Sequence, residues 1–551
     1  MTSSVAPGRL ALSAAHTGAA LAVHAPQLLA GFEAALGPAA DTVGRRLLGA
    51  LVRERLVPPA PGGRRHAFGR VEYARSDADD PAELVPVHLP GAAGLARELR
   101  NAVINLAVAV ARQPLLPVVP AGAGADELAV AGERLAVAGH NLHPCGRTRL
   151  GWDTTDVLAH DLEAGHTRVG FVAVRDDAHL GDDVGAALRE AYPWLPQPPP
   201  GFHLQPVHAW QRDFVLRSRY RELIAGGAVR VLDAELDAVP TAALRTLLLP
   251  AGADGRRRYV KVSLDIQVTS TRRSISVAST RNGPAVSRLL HRLAAGDPDA
   301  GRLLLLAETA GAAVPAGSGR DMSAILRDGL TGRLAAGEEA VPGSALPFVA
   351  ATLVRRFAAA TGRADDAAAA GAFLDAYARL VVPPLLRLTL HGVAFEAHLQ
   401  NCLPVFAAGV PRRLAVRDFA GMRLHPGRLA AAGHEVALWP GSVVGTGDPG
   451  VLRAKIGYTL FQAHLGELVI RLGDSHGLDE TTAWRIVRAV VDQTYDTVLS
   501  AGPPPWLAAA AREDHAAFTA PRVPHKALVR MRLAGAGDEY LPVENPLHVP
   551  A

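Results

Sequence analysis

Cysteine is almost missing from this chain. Only Cys145 and Cys402 occur, so a disulfide framework cannot set the fold and a four-thiolate zinc site cannot form. Lysine is scarce too: of 57 basic residues, three are lysine, Lys261, Lys455 and Lys526, and asparagine occurs six times. The Ala, Gly, Pro and Arg richness fits GC-driven codon drift, under which generic surface cations become arginine. The remaining lysines and asparagines then mark places where a point charge or a small amide is needed. No window reaches the roughly 18 uncharged apolar residues of a membrane span. Met1–Leu10 carries one arginine and no secretory h-region, and the Ala-rich run Leu10–Leu29 is interrupted by two histidines and a proline. That run reads as a helix, which makes the expectation cytoplasmic and without membrane attachment. A net charge of +4 on 551 residues gives no charge argument for nucleic acid. There is no GxxxxGK[ST], GxSxG, HExxH or completed GxGxxG, which removes local support for a P-loop, a common hydrolase elbow, a zincin or a dinucleotide fold.

At roughly 100–200 residues per domain, the length suggests about three units. Residues 1–130 carry helical spacing in Ala11–Leu36, Asp41–Leu56 and Gly94–Arg112, with breakers at Pro59–Gly63 and Pro114–Gly124. They read as a packing or covering domain. Residues 131–345 change character. Thr167–Val174 and Tyr259–Val277 are rich in β-branched residues, and Tyr259, Lys261, Ser263 and Asp265 alternate with Val260, Val262, Leu264 and Ile266. That is strand period with one apolar face, so a mixed α/β segment with a substantial antiparallel sheet is predicted. Residues 346–551 return to helices at Pro347–Thr361, Ala364–Val382, Pro384–Leu399, Leu452–Leu472 and Thr481–Leu499, with an extended piece at Arg413–Phe419. No repeat of fixed period is visible.

Five segments concentrate chemistry. Gly139-His140-Asn141-Leu142-His143-Pro144, followed by Arg147 and Arg149, sets two imidazoles beside two guanidinium forks suited to phosphate or carboxylate oxygens. A metal site from His140, His143 and Cys145 has no further ligand cluster close in sequence, and a capped turn with surface arginines is the plain alternative. Pro206-Val207-His208-Ala209-Trp210-Gln211 reads as a buried Trp with a bonded His. Lys261 to Ile266, then Thr269-Ser270-Thr271-Arg272-Arg273 and Arg281-Asn282-Gly283-Pro284, form a strand running into hydroxyls and paired arginines. That mixture suits a polyanion such as triphosphate or citrate, against a basic edge strand that resists aggregation.

The fourth segment is the most specific. In His391-Gly392-Val393-Ala394-Phe395-Glu396-Ala397-His398-Leu399-Gln400-Asn401, five polar groups interrupt an apolar run. Burial without partners would cost about 1–3 kcal/mol each, so a polar ligand facing them explains the run, with a buried helix-to-strand hydrogen-bond network as the alternative. Asp418 follows seventeen residues after Asn401. An Asn and then an Asp at the end of an extended piece resemble the Mg²⁺-binding pair of kinase-like folds, and their oxygens are suitable hard ligands. The fifth segment, His525-Lys526 with Arg530 and Arg532, reads as a cationic patch closing over an anion or as a solvated tail.

Together these segments resemble the NRPS-independent siderophore synthetases of the IucA/IucC type. GHNLHPCGRTRLG, PVHAWQ, KVSLDIQVTSTRR with RNGP, HGVAFEAHLQN and VRDF stand in the family's order across residues 139 to 419, and Lys455–His464 and Lys526–Arg532 extend the match. Arg147 stands where a Lys is commoner and Ala209 where a Pro is commoner. The resemblance implies an α+β, cupped-hand fold: a helical thumb (1–130), fingers with a mixed sheet (131–345) and a kinase-like helical palm (346–551). It implies adenylation of a polycarboxylate such as citrate by ATP, then attack by an amine or hydroxyl, with Mg²⁺ and a possible homodimer. Carried over by position, His143, Arg149, Ser270, Gln400, Asn401 and Asp418 would contact ATP, and Arg272, Arg273 and His398 would act at the reacting centre. Asp418, with Glu396 or Asn401, would hold Mg²⁺, and Lys526, Arg281 and Lys261 would meet the substrate carboxylates. A kinase-like phosphotransferase releasing ADP, motivated by Asn401 and Asp418, and a non-catalytic binding module are the competing readings.

Overall fold

A computed structural model describes residues 8–549 except 117, 121, 270, 317, 318 and 536. The N-terminal part is helical, as expected, with altered boundaries. Helices Arg9–His24 and Leu29–Arg53 are separated at Pro26, while Pro38 lies inside the second. Helix Ala92–Arg112 packs on them through Leu95, Leu99, Val103 and Leu106. The same core takes in Leu264, Ile266 and Val268, so the N-terminal helices rest on a hairpin of the middle region.

The middle region is built on an eight-stranded sheet. Its order is Leu180–Gly181, Glu308–Ala313, Ser323–Asp328, Arg258–Val262, Thr246–Leu248, Val229–Pro240, Thr167–Arg175 and Phe202–His208. Every pairing in it is antiparallel. The expected mixed sheet is therefore corrected for this region. The one-faced reading of Tyr259–Val277 is corrected too. Arg258–Val262 is a central strand buried on both faces, Ser263 interrupts it, and Leu264–Val268 leaves to form a separate hairpin with Thr271–Arg273. Parallel pairing occurs in a smaller sheet, where Leu303–Leu305 runs alongside Val410–Val416. That sheet, ordered Leu303–Leu305, Val410–Val416, Cys402–Ala407 and Glu338–Ala340, joins strands from both sides of residue 345.

The C-terminal part is helical around Ala367–Leu390. Asp366 caps this helix by accepting from the Ala369 amide at 2.9 Å. By length and composition it could cross a membrane, and 72% of its most apolar window is buried inside the protein. It carries Pro383 and Pro384 in its interior, where sequence spacing predicts a break. Burial of Leu380, Val381, Leu385, Leu386 and Leu388, each contributing about 1.5–3 kcal/mol, outweighs the proline penalty of about 3 kcal/mol for each of the two. The expected continuation to Leu399 fails for a local reason. The helix ends at Leu390, and Gly392 at φ 93° turns the chain. A Cβ there would collide with the His425 carbonyl. Residues 391–401 are thus turns and the short strand Val393–Ala394, not helix.

Candidate active site

A cleft of 740 Å³ lies where the large sheet, the small sheet and the C-terminal helices meet. Antiparallel pairing brings two of its walls together. Strands Cys402–Ala407 and Val410–Val416 form a hairpin through the Ala408–Gly409 turn, with Cys402 opposite Val416. The residues just beyond that pair, Asn401 and Arg417, are linked by the Arg417 amide donating to the Asn401 carbonyl at 3.0 Å. Asn401 and Asp418 are therefore neighbours at the open end of one hairpin, and both line the cleft.

Asp418 takes up φ 65°, ψ 84°, which an L-residue adopts only under constraint. Lys261, from the central strand of the large sheet, donates to its Oδ1 at 2.5 Å. Burial pushes the Asp418 carboxyl upward, but Lys261 and Arg245 overcome this and hold it well below the usual range. Arg273 and Arg327 also line this end, and the Nε of each is buried without a hydrogen bond. Burial, then Arg245 and Arg149, lower Arg273 to about 9, so it stays charged near neutrality. Beneath them Glu308 is buried, with Oε2 unpartnered and its carboxyl pushed upward by burial.

On the opposite wall, Glu396 and His398 come from the turn segment after Val393–Ala394. Lys455 donates to Glu396 Oε1 at 3.1 Å. The segment is fixed from behind. The Ala397 amide donates to Thr459 Oγ1 at 3.1 Å, and His464 Nδ1 lies 3.1 Å from the Ala397 carbonyl. Thr459 and His464 sit on the π-helical stretch Gly457–Leu465, inside the segment read as one long α-helix. The His398 ring is 6.1 Å from that of His140, and burial depresses its proton affinity. His140 and His143, both in the first segment, are depressed by burial as well, His143 to about 3.

Of the residues singled out from sequence, His143, Arg149, Arg273, Glu396, His398, Gln400, Asn401, Asp418 and Lys526 line the cleft. Lys261 reaches it through Asp418. Arg149 is also paired with Asp161 at 2.9 Å, and Lys526 with Asp538 at 2.7 Å. Two residues stand elsewhere. Arg272 alternates with Thr271 and Arg273 on the hairpin strand, so its side chain takes the other face, where it pairs with Asp265. Arg281 lies on helix Val277–Ala295 and faces Asp182 at 3.6 Å. Ser270 lies outside the described residues. The second segment is scaffold: His208 is buried and accepts from the Trp210 amide, and Gln211 joins Asp321 to Asp265. No group of three or more His, Cys, Asp or Glu side chains able to hold a metal occurs among the described residues, so His140, His143 and Cys145 form no such centre. Arg46, Arg245 and Arg327 line the cleft without having been singled out. All three lysines gather here, which is the signal their scarcity carried.

The IucA / IucC family model matches residues 129–347, and a second model, described as Ferric iron reductase FhuF-like transporter, matches 371–541. D-ornithine–citrate ligase of Staphylococcus aureus is 23% identical over 505 residues, covering 82% of this chain and 76% of the relative. The petrobactin biosynthesis protein AsbB of Bacillus anthracis superposes with a TM-score of 0.77 at 19% identity, over 98% of both chains. ATP-bound aerobactin synthetase IucA from Klebsiella pneumoniae superposes with a TM-score of 0.70 at 18% identity, over 93% of this chain and 100% of that one. The named relative is a citrate ligase, and both solved neighbours, siderophore-biosynthesis proteins, share this fold over nearly the whole chain. The chain belongs to the IucA/IucC-type family of NRPS-independent siderophore synthetases.

Proposed function

We propose that the protein is an ATP-dependent synthetase that adenylates one carboxylate of citrate or a related polycarboxylic acid and joins it to an amine or hydroxyl. A carboxylate oxygen attacks the α-phosphorus of ATP and pyrophosphate leaves. The nucleophile then attacks the acyl carbon, AMP departs with the former carboxylate oxygen, and the proton of the nucleophile passes to a base. The observation carrying this reading is the excess of cations over carboxylates at one end of the cleft: Lys261, Arg245, Arg273 and Arg327 cluster about the half-buried Asp418 and the buried Glu308. Bringing a triphosphate and a polycarboxylate together is chiefly a matter of positioning and charge stabilisation.

In this reading Arg273, Arg245 and Arg327 hold phosphate oxygens, while Lys455 and Lys526 meet the acid. His398, kept neutral by burial, donates a hydrogen bond to the reacting carboxylate or takes a proton from the nucleophile. The carboxylates of Asp418 and Glu396 fit Mg²⁺. Each uses one oxygen on a lysine, and a magnesium ion between phosphates needs only one or two protein carboxylates, with Asn401 beside them. When bound, it offsets phosphate charge. The architecture is read as thumb (1–130), fingers (131–345) and palm (346–551), in a cytoplasmic setting.

The test is product analysis. AMP and pyrophosphate are expected, and only when a polycarboxylate is present. ADP as the product would favour the phosphotransferase reading prompted by the Asn401/Asp418 hairpin. Tight nucleotide binding without turnover on any acid–amine pair would favour a binding module.

A further inference from the structure

Beyond His140 the cleft continues into a second chamber of 270 Å³, just under the about 300 Å³ at which small-molecule pockets usually begin. The two spaces share Arg46, Asn141, Glu467 and Arg471. Helix Leu29–Arg53 forms one wall and presents Arg46 and Arg53, two turns apart on one face. Gly49 lies between them, and a Cβ there would strike the Val71 carbonyl. This close approach keeps the helix against the opposite strand.

The charges in the chamber do not balance. Arg70 and Arg471 occupy Glu467 and Glu72: Arg70 lies 2.7 Å from Glu467 and 2.5 Å from Glu72, and Arg471 lies 2.9 Å from Glu467. Glu54 is engaged by the Val529 and Arg530 amides at 3.0 and 2.7 Å. Arg46 and Arg53 have no carboxylate left to them. Arg46 Nη1 donates to the Ala138 and His140 carbonyls at 2.6 and 3.1 Å. Arg53 donates to the Phe68 carbonyl at 3.0 Å and to Gln462 Oε1 at 3.1 Å. Their other guanidinium nitrogens make no hydrogen bond among the described residues. Burial lowers Arg46 to about 10 and Arg53 to about 9. Two partly buried guanidinium groups with unpaired nitrogens facing a small space are offset best by a carboxylate gripped in a fork.

We infer that this chamber binds the carboxylate of the acceptor, so that the nucleophile is an amine that itself carries a carboxylate, and that Arg53 is a specificity-determining residue for it. The inference rests on the proposed adenylation, because the chamber meets the cleft at Arg46 and Asn141, beside His140, whose ring lies 6.1 Å from that of His398. The acyl adenylate would meet its nucleophile there.

Two acceptor pairs that differ only by a carboxylate test this: ornithine against putrescine, and 2,3-diaminopropionate against ethylenediamine. Acid-dependent pyrophosphate exchange is measured first, with citrate and then other polycarboxylates, in the absence of any amine. Condensation is then followed with each acceptor. The wild type is expected to favour the carboxylate-bearing member of at least one pair by tenfold or more in kcat/KM. In Arg53→Gln that preference should collapse through a rise in KM of tenfold or more, with exchange unchanged and with partial recovery in Arg53→Lys. Unchanged exchange also shows that the variant is folded. Equal use of both members of each pair by the wild type, or a preference that survives Arg53→Gln, would overturn the inference while leaving adenylation intact. Absence of exchange with every acid would overturn the adenylation reading, and this inference with it.

Discussion

Two charge clusters border the cleft, and they differ in balance. In one, Arg147 and Arg149 meet Asp161 and Glu163. Two cations face two anions, and the four side chains are at most 4% exposed. Arg147 bridges both carboxylates and the Val137 carbonyl, and Arg149 forks onto Asp161 at 2.9 and 3.1 Å. In the other, Lys261, Arg245, Arg273 and Arg327 surround Asp418 and Glu308, and the arginine Nε atoms of Arg273 and Arg327 and Glu308 Oε2 lack partners. A balanced cluster is finished without a ligand and holds the fold. A cation excess with unmet donors is finished only by an anion. Identical residue types therefore do different work, and the difference lies in stoichiometry, not in chemistry.

Substitutions can break or sharpen that contrast. The largest effect is expected from Asp418→Ala: turnover falls about 1,000-fold or more, while far-ultraviolet circular dichroism stays as in the wild type. His398→Ala is expected to cost about 100–1,000-fold on the same readouts. Near wild-type turnover in either variant would show that the cleft is not where the chemistry occurs. In the balanced cluster the loss should be in stability. Asp161→Ala leaves two buried guanidinium groups short of a carboxylate and should cost about 3–5 kcal/mol, read from the urea midpoint. A fully stable Asp161→Ala would remove the distinction between the clusters. Within the hairpin, Arg273→Ala should raise KM for ATP tenfold or more, whereas Arg272→Ala, on the outer face, should change stability by no more than about 0.5 kcal/mol and leave KM alone.

The smallest effect concerns pH. Burial depresses His208 to about 3 and His464 to about 4, against an unfolded value of about 6.5. For a histidine depressed in the folded state, the stabilisation is present above the unfolded value and is lost as pH falls toward the folded one. The melting temperature should therefore be level above about pH 6.5 and decline steadily toward pH 4. A rise in melting temperature over that interval would contradict the burial of these rings.

What the sequence revealed follows from how rare each signal was. Glu396, His398, Gln400 and Asn401 were legible because polar groups interrupt an apolar run, and Lys261, Lys455 and Lys526 because lysine is nearly absent. Arg46, Arg245 and Arg327 carried no such mark in a chain where almost every cation is arginine. Arg272 and Arg273 are equivalent in sequence. Only the pairing of Thr271 with Val268 and the strand alternation decide which one enters the cleft. The helix read through to Leu399 failed because Pro383-Pro384 drew the break away from Gly392, the residue whose φ of 93° ends it. The joining of Asn401 to Asp418 is half visible in the sequence: the spacing is there to read, but the hairpin that makes them neighbours rests on strand pairing.

The most direct measurement follows oxygen. With ¹⁸O in the carboxylates of the acid, adenylation and acceptor attack transfer one labelled oxygen into the phosphate of AMP, and mass spectrometry of the AMP should find it there. Unlabelled AMP beside completed condensation, or label appearing in inorganic phosphate alongside ADP, would contradict activation at the α-phosphorus.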